Sequence, residues 1–205
     1  DLRLSRGLGD VYKRQVDPCC GSGTLLIEAV SMALRQAPGQ GRQFGLENWA
    51  DFDSELWERE QHRARQRRRS NLDLAPVVGY EQDPLVAEQA RDNIRAAGLE
   101  GLISIQSGSF EQQTLPSGPG QLVCNPPYGR RIGANDDLEQ LYRLLGSFLR
   151  EQASGWQLWL LSGNASLTGA LRLKANRRIP VSNGGIDCRW LNYVIRCCLL
   201  YTSPS

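Results

Sequence analysis

Short apolar runs alternate with helical stripes along this chain, and the alternation places its elements. Val16 ends an apolar strand that runs into Asp17 and a turn carrying Gly21 and Gly23. TLLIEAVSMALR follows, with Leu25, Leu26, Ala29, Met32 and Ala33 at helical spacing, and Pro38-Gly39 ends it. Residues 40–58 are irregular and aromatic, with Phe44, Trp49, Phe52 and Trp57. They read as a surface insertion whose aromatics cover the sheet, with a binding role as the alternative. A helix starts at Asp53 or Ser54 and runs into HRARQRRR. PVVGY (Pro76–Tyr80) is a buried strand ending in Glu81. Asp83-Pro84 then caps a helix with Val86, Ala90, Ile94 and Ala97 on one stripe, closed by Gly98. Strands are predicted at Leu102–Gln106 and Gln121–Cys124, then an amphipathic helix over Leu138–Leu149 with Leu141, Leu144, Leu145 and Phe148 inward. Trp156–Leu161 is the next strand and Asn164–Leu171 a short helix. Arg172–Val181 and Ile186–Ile195 form two last strands around Asn183-Gly184-Gly185, a hairpin signal. The sum is one three-layer α/β sheet, mostly parallel, closing on an antiparallel C-terminal hairpin.

Composition narrows this picture only modestly. With 205 residues and 40% hydrophobic content the chain can bury one good core. A net charge of +2 neither demands nor excludes nucleic acid. No apolar run is long enough to span a membrane, and none resembles a secretory signal. The six cysteines fall as two adjacent pairs and two singles without metal spacing, and His62 is the one histidine. No metal site or disulfide scaffold is therefore expected, and a reducing cytoplasm is the expected compartment.

The two ends carry a different signal. One codon choice for Asp10–Gln15 (DVYKRQ) has a reverse complement that, read one base in, encodes CLLYTS, the sequence of Cys198–Ser203. An inverted repeat at both ends marks a translated sequencing adaptor. Residues 1–15 and 198–205 are accordingly expected to be non-native. Residues 16–197 would then be a domain fragment truncated at both ends, its first strand replaced by VYKRQ, a poor buried-strand sequence.

Three features are placed to meet. The glycine loop follows the first strand, Glu81 ends the second, and Asn125-Pro126-Pro127-Tyr128 follows the fourth. In an open parallel sheet such strand ends lie along one edge, where ligands bind. Glycines bring backbone close to a ligand, and the helix start beyond them offers free N–H groups. The densest basic patch is elsewhere: Arg63, Arg65, Arg67, Arg68 and Arg69 make either a solvated helix face or a phosphate-contacting arm.

DPCCGSGT, GYEQDP and NPPYG, in that order, resemble a class I S-adenosylmethionine-dependent methyltransferase acting on exocyclic or amide nitrogens. LLIEA after the loop, the Pro38–Trp49 insertion, NPPYGRRI and NGGIDCRWLNY are similar to the bacterial large-subunit ribosomal RNA guanine-N2 methyltransferases of type K/L, in their first catalytic domain. This resemblance covers Val16 to Arg196 and implies a Rossmann-like sheet. It implies S-adenosylmethionine as co-substrate, with Asp17, Gly21, Ser22, Gly23, Glu81 and Ser109 towards it. Ser109 stands where the family usually carries an acid. Asn125, Pro126, Pro127 and Tyr128 are the implied catalytic loop. The prolines hold it rigid, two carbonyls accept from one NH₂ group, and Tyr128 offers a face for stacking. A paired base cannot reach such a site, so the target must be unpaired or flipped out. Arg63, Arg67, Arg68, Arg130 and Arg131 are candidate RNA contacts.

The implied activity is methylation of a guanine 2-amino group in 23S rRNA or a large-subunit precursor. A tRNA guanine-N2, DNA adenine-N6 or protein glutamine-amide methyltransferase shares the loop and stays open. So does a non-catalytic RNA-binding or ribosome-assembly module. The family also implies an upstream RNA-binding region and a second methyltransferase domain downstream.

Overall fold

The computed structural model describes residues 14–70, 74–128 and 135–196. Seven strands form one sheet: β1 (Arg14–Asp17), β2 (Val77–Glu81), β3 (Ser104–Ser107), β4 (Gly120–Cys124), β5 (Gln157–Ser162), β6 (Arg177–Asn183) and β7 (Ile186–Val194). Their order is β3-β2-β1-β4-β5-β7-β6. The first five pair in parallel, and β7 runs antiparallel between β5 and β6. The mixed sheet with its C-terminal hairpin is the architecture the sequence pattern predicts. Asn183 pairs with Ile186 across Gly184 and Gly185, whose φ of 58° and 80° make a two-residue turn of the twist that suits a hairpin.

Helices pack on both faces. On one, α1 (Thr24–Ala33) and α3 (Pro84–Ala96) bury Leu26, Val30, Ala87, Ala90 and Ile94. On the other, α4 (Asn135–Gln152) lays Tyr142, Leu145, Phe148 and Leu149 over Val16, Val78, Leu122, Leu158 and Leu160. α5 (Ala165–Ala170) lies beside it, capped by Asn164, which accepts from the Ser166 and Leu167 N–H groups. Asp83 caps α3 as predicted, accepting from Leu85 N–H, with Pro84 at the first helical position.

Several details differ from the pattern. The buried stripe of α1 is Leu26, Val30 and Ala33 with Leu34 beyond it, while Met32 is 60% exposed. Leu25–Ala29–Met32 and Leu26–Val30–Ala33 both have helical spacing, and only the sheet decides between them. The helix also stops before Pro38-Gly39. Arg35 takes φ 54°, and the Gln36 N–H returns to Ser31, closing the end as a left-handed cap normally built on glycine. The aromatic insertion does not cover the sheet. Phe44 meets Trp57 edge to face at 5.6 Å, and Trp49 is 68% exposed. These rings pack a local layer around the polar helix α2 (Ser54–Arg67), which buries no residue. Strand β3 starts two residues later than predicted, and α4 runs a turn longer at its C-terminal end, to Gln152. Arg14 and Gln15, assigned above to the adaptor, form the first half of the central strand β1, with the Gln15 N–H donating to Pro76 at 3.0 Å. Backbone pairing makes few demands on side-chain identity, and glycine at 118 leaves room for the Arg14 guanidinium.

Candidate active site

Strand order reverses between β1 and β4, and the crevice outside their carboxyl ends is where such sheets hold ligands. Two loops open onto it, one after Asp17 and one after Cys124. Asp17 is 1% exposed, and its Oδ1 accepts the Cys19 N–H at 3.1 Å. Burial pushes its carboxyl up to about 7, against the lowering pull of the Cys19 N–H and the Cys124 thiol, and the charge of Glu81 adds to the rise. Burial likewise pushes the neighbouring Cys20 and Cys124 thiols up, so both stay protonated and inert at neutral pH.

Gly21 and Gly23 carry φ of 54° and 83°, a region that costs other residues strain. A Cβ on Gly21 would meet nothing within 4 Å, so conformation and not crowding demands glycine there. Gly23 caps α1 with no side-chain hydrogen bond, which leaves the first N–H groups of that helix available to an anionic or polar ligand. Ser22 sits at the crest: its hydroxyl lies 3.4 Å from that of Thr24, and its carbonyl accepts from Asn93 Nδ2 at 3.0 Å.

Glu81 is brought to this loop directly. Its Oε2 accepts the Gly21 N–H at 3.0 Å and its Oε1 accepts the Asp83 N–H at 3.0 Å. Each carboxylate oxygen has two acceptor positions, so one on each remains for a hydroxyl pair. Ser109 follows the end of β3, where the Gly108 N–H donates to the Glu81 carbonyl at 2.8 Å. The Ser109 hydroxyl donates to Glu111 Oε2 at 3.1 Å, so an acid stands two residues beyond the position where the family usually carries one.

Across the crevice, Asn125 is exposed, Pro126 buried, and Pro127 and Tyr128 half-buried. The structure thus gathers Asp17, Gly21, Ser22, Gly23, Glu81, Ser109 and Asn125–Tyr128 along one sheet edge. Sequence reasoning missed what holds Tyr128. Its hydroxyl accepts from Asn183 Nδ2 at 2.8 Å and from the Cys188 thiol at 3.5 Å. Its ring lies against Gly163, where a Cβ would come within 3.3 Å of ring, Cys188 sulfur and Ile186 alike. Burial and the Cys188 thiol raise the Tyr128 hydroxyl above its ordinary range, so it remains a phenol. The signal was the NGGIDC segment itself, which supports the family resemblance yet has no chemistry legible without its fold.

The basic candidates behave differently. Arg63 pairs with Glu60 at 2.6 Å, and Arg67 and Arg68 are exposed at the end of α2. That end is tied to the body by the Arg69 N–H donating to Leu34, at the end of α1 farthest from the glycine loop. Ten residues of α1 separate the two, about 15 Å. Arg130 and Arg131 lie outside the described residues. No group of three potential metal ligands occurs among the described residues. No helix among them is long and apolar enough to cross a membrane.

Known proteins share this arrangement. The family model of the RMKL-like methyltransferase domain (UPF0020) matches residues 10–192. The ribosomal RNA large subunit methyltransferase K/L of Syntrophotalea carbinolica is 39% identical over 203 residues, covering 95% of this chain and 28% of the relative. The slr0064 protein of Synechocystis sp., which carries an RNA methyltransferase name, is 39% identical over 178 residues, covering 86% of this chain and 46% of its own. The chain therefore spans less than half the length of these relatives. Among solved structures, SMU.472 in complex with SAH superposes with a TM-score of 0.82 at 28% identity, covering 90% of this chain and 48% of that one. A Listeria monocytogenes protein described as an N6-adenine-specific DNA methylase gives a TM-score of 0.79 at 26% identity, with coverages of 89% and 47%. With the glycine loop, the carboxylate of β2 and the Asn-Pro-Pro-Tyr loop meeting at one switch point, the chain belongs to the RMKL-like methyltransferase domain family, whose enzymes draw on S-adenosylmethionine.

Proposed function

We propose that this chain methylates the exocyclic 2-amino group of a guanine in large-subunit ribosomal RNA. The observation that carries the reading is the exposed Asn125, at the switch point, in the loop after the strand next to the one that presents buried Asp17 and the uncapped helix start. The K/L enzyme of S. carbinolica supports the choice of substrate.

The residues fit the co-substrate. Asp17 would accept from the methionine amine, Gly21 to Gly23 and the first N–H groups of α1 would line the methionine end, and Glu81 would take the ribose hydroxyls. Ser109 with Glu111 would face the adenine amine. When bound, S-adenosylmethionine supplies an activated methyl on a sulfonium, so positioning is the task left to the protein. The Asn125 side-chain oxygen and the Pro126 carbonyl would accept both hydrogens of the base's NH₂ group. That favours a pyramidal nitrogen with its lone pair aimed at the methyl. A nitrogen–carbon bond forms as the sulfur–carbon bond breaks, and the extra proton leaves to water. Tyr128 would carry the base on its ring.

The same geometry would also hold an adenine N6 amine, and the likeness to the Listeria protein favours that as the second reading. Incubation with methyl-labelled S-adenosylmethionine and, separately, large-subunit rRNA, tRNA, DNA and a release factor tests the choice. Label in rRNA alone is the expected result; label in DNA, tRNA or protein with none in rRNA overturns it. The full protein is further proposed to act in the cytoplasm and to carry an upstream RNA-binding region and a second methyltransferase domain, since the match covers only 46% and 28% of the two relatives.

A further inference from the structure

Beside the Tyr128 seat, a groove of about 820 Å³ runs between α5 and the β6–β7 hairpin. Gly163 and Cys188 belong to both: they line the groove and touch Tyr128. Register puts Arg178, Pro180 and Ser182 of β6 on one face with Leu191, Arg189 and Asp187 of β7. Arg178 and Arg189 are diagonal neighbours on that face, and both are exposed. No ion pair engages either one among the described residues, as is true of Arg67 and Arg68 at the end of α2, whereas Arg59, Arg63, Arg91, Arg95 and Arg143 are paired. β6 is the edge strand of the sheet and carries Pro180, so its outer side is not made for another strand. Thr168 and Asn164 add polar groups on the α5 side, and Asp187 is the one carboxylate in the lining.

A polar groove with two arginines outside any ion pair among the described residues, beside the hairpin tip that holds the Tyr128 ring, matches the way proteins hold a single strand of nucleic acid: charge along the backbone, a ring under a base. We propose that this groove holds the RNA strand adjoining the target nucleotide, with Arg178 and Arg189 on its phosphates and Tyr128 under the flipped base. This rests on the reading that the substrate is RNA. It places strand recognition on the hairpin instead of on the arginine-rich end of α2.

The test uses the whole chain, with a short fluorescent single-stranded RNA containing guanine as the probe. Binding is followed by anisotropy over a salt series, for wild type, for Arg178→Gln with Arg189→Gln, and for Arg67→Gln with Arg68→Gln. Each phosphate contact on a single strand contributes about 0.7 to the slope of log affinity against log salt. The hairpin pair should therefore lower the slope by about 1.4 and weaken binding by about tenfold or more at low salt. The α2 pair should leave the slope unchanged, and S-adenosylmethionine affinity should stay within twofold in all three proteins. An unchanged slope in the hairpin variant, or a wild type whose RNA binding does not respond to salt, overturns the groove assignment. Methyl transfer scored in parallel separates the two claims. Transfer to RNA with an unchanged slope removes the groove alone, whereas transfer only to DNA or protein removes the RNA reading beneath it.

Discussion

Asp17 is a carboxyl held near its midpoint at neutrality by burial, and that makes the site sensitive to pH. In the free protein it takes up a proton as pH falls through about 7. A cationic amine beside it favours the carboxylate, so binding S-adenosylmethionine would release that proton. Affinity should rise with pH and level off above neutrality, about tenfold tighter at pH 8 than at pH 6. Asp17→Asn should bind more weakly and lose most of this dependence, and calorimetry at the two pH values measures both. For the free fold the sign is opposite. A folded pKa above the unfolded one means that the contribution of Asp17 to stability is full in acid and is lost as pH rises towards 7. In the proposed reading Asn125 serves the reacting nitrogen and not the co-substrate. Asn125→Ala should slow single-turnover methyl transfer by about a hundredfold, on the scale of a misplaced reactant, and leave co-substrate affinity within twofold. Glycine, Asp, Glu and Asn-Pro-Pro-Tyr were legible in the sequence because their chemistry is local: a turn, an acceptor, a rigid loop. Asn183 and Cys188 were not, because their partner Tyr128 is 55 and 60 residues away.

The C-terminal hairpin is the element whose role changed most. From the sequence it is two strands around a glycine turn; in the fold its tip reaches back to the Asn-Pro-Pro-Tyr loop. Asn183→Ala removes the 2.8 Å donor to the Tyr128 hydroxyl and should lower the methyl-transfer rate about fivefold to tenfold with the thermal midpoint nearly unchanged. An equal loss of co-substrate affinity would point to a general structural role instead. Packing between elements is tight around β2. A Cβ on Gly79 would come within 2.8 Å of Leu26, Cys20 and Ile105 side chains together. Gly79→Ala should cost about 1–3 kcal/mol, the usual penalty of overpacking, seen as a drop of several degrees in Tm. Strand and helix order could be read from periodicity and caps. The inward face of α1 could not, since two stripes of equal spacing compete there and the sheet chooses. Nor could the aromatic insertion, whose rings pack on each other and leave Trp49 to solvent.

Over the whole molecule, the order β3-β2-β1-β4-β5-β7-β6 turns three motifs spread across more than a hundred residues into one edge. In the proposed reading the methionine end would lie over β1, the ribose end over β2, and the target base over β4 with the hairpin beyond. The central claim is that Asn125 and Pro126 grip the NH₂ group of a guanine. Digestion of enzyme-methylated large-subunit rRNA to nucleosides, followed by mass spectrometry against standards, tests it most directly. The methyl is expected as N2-methylguanosine, formed about a hundredfold more slowly with Asn125→Ala. A methyl on a ring nitrogen, on carbon or on a ribose hydroxyl would contradict it.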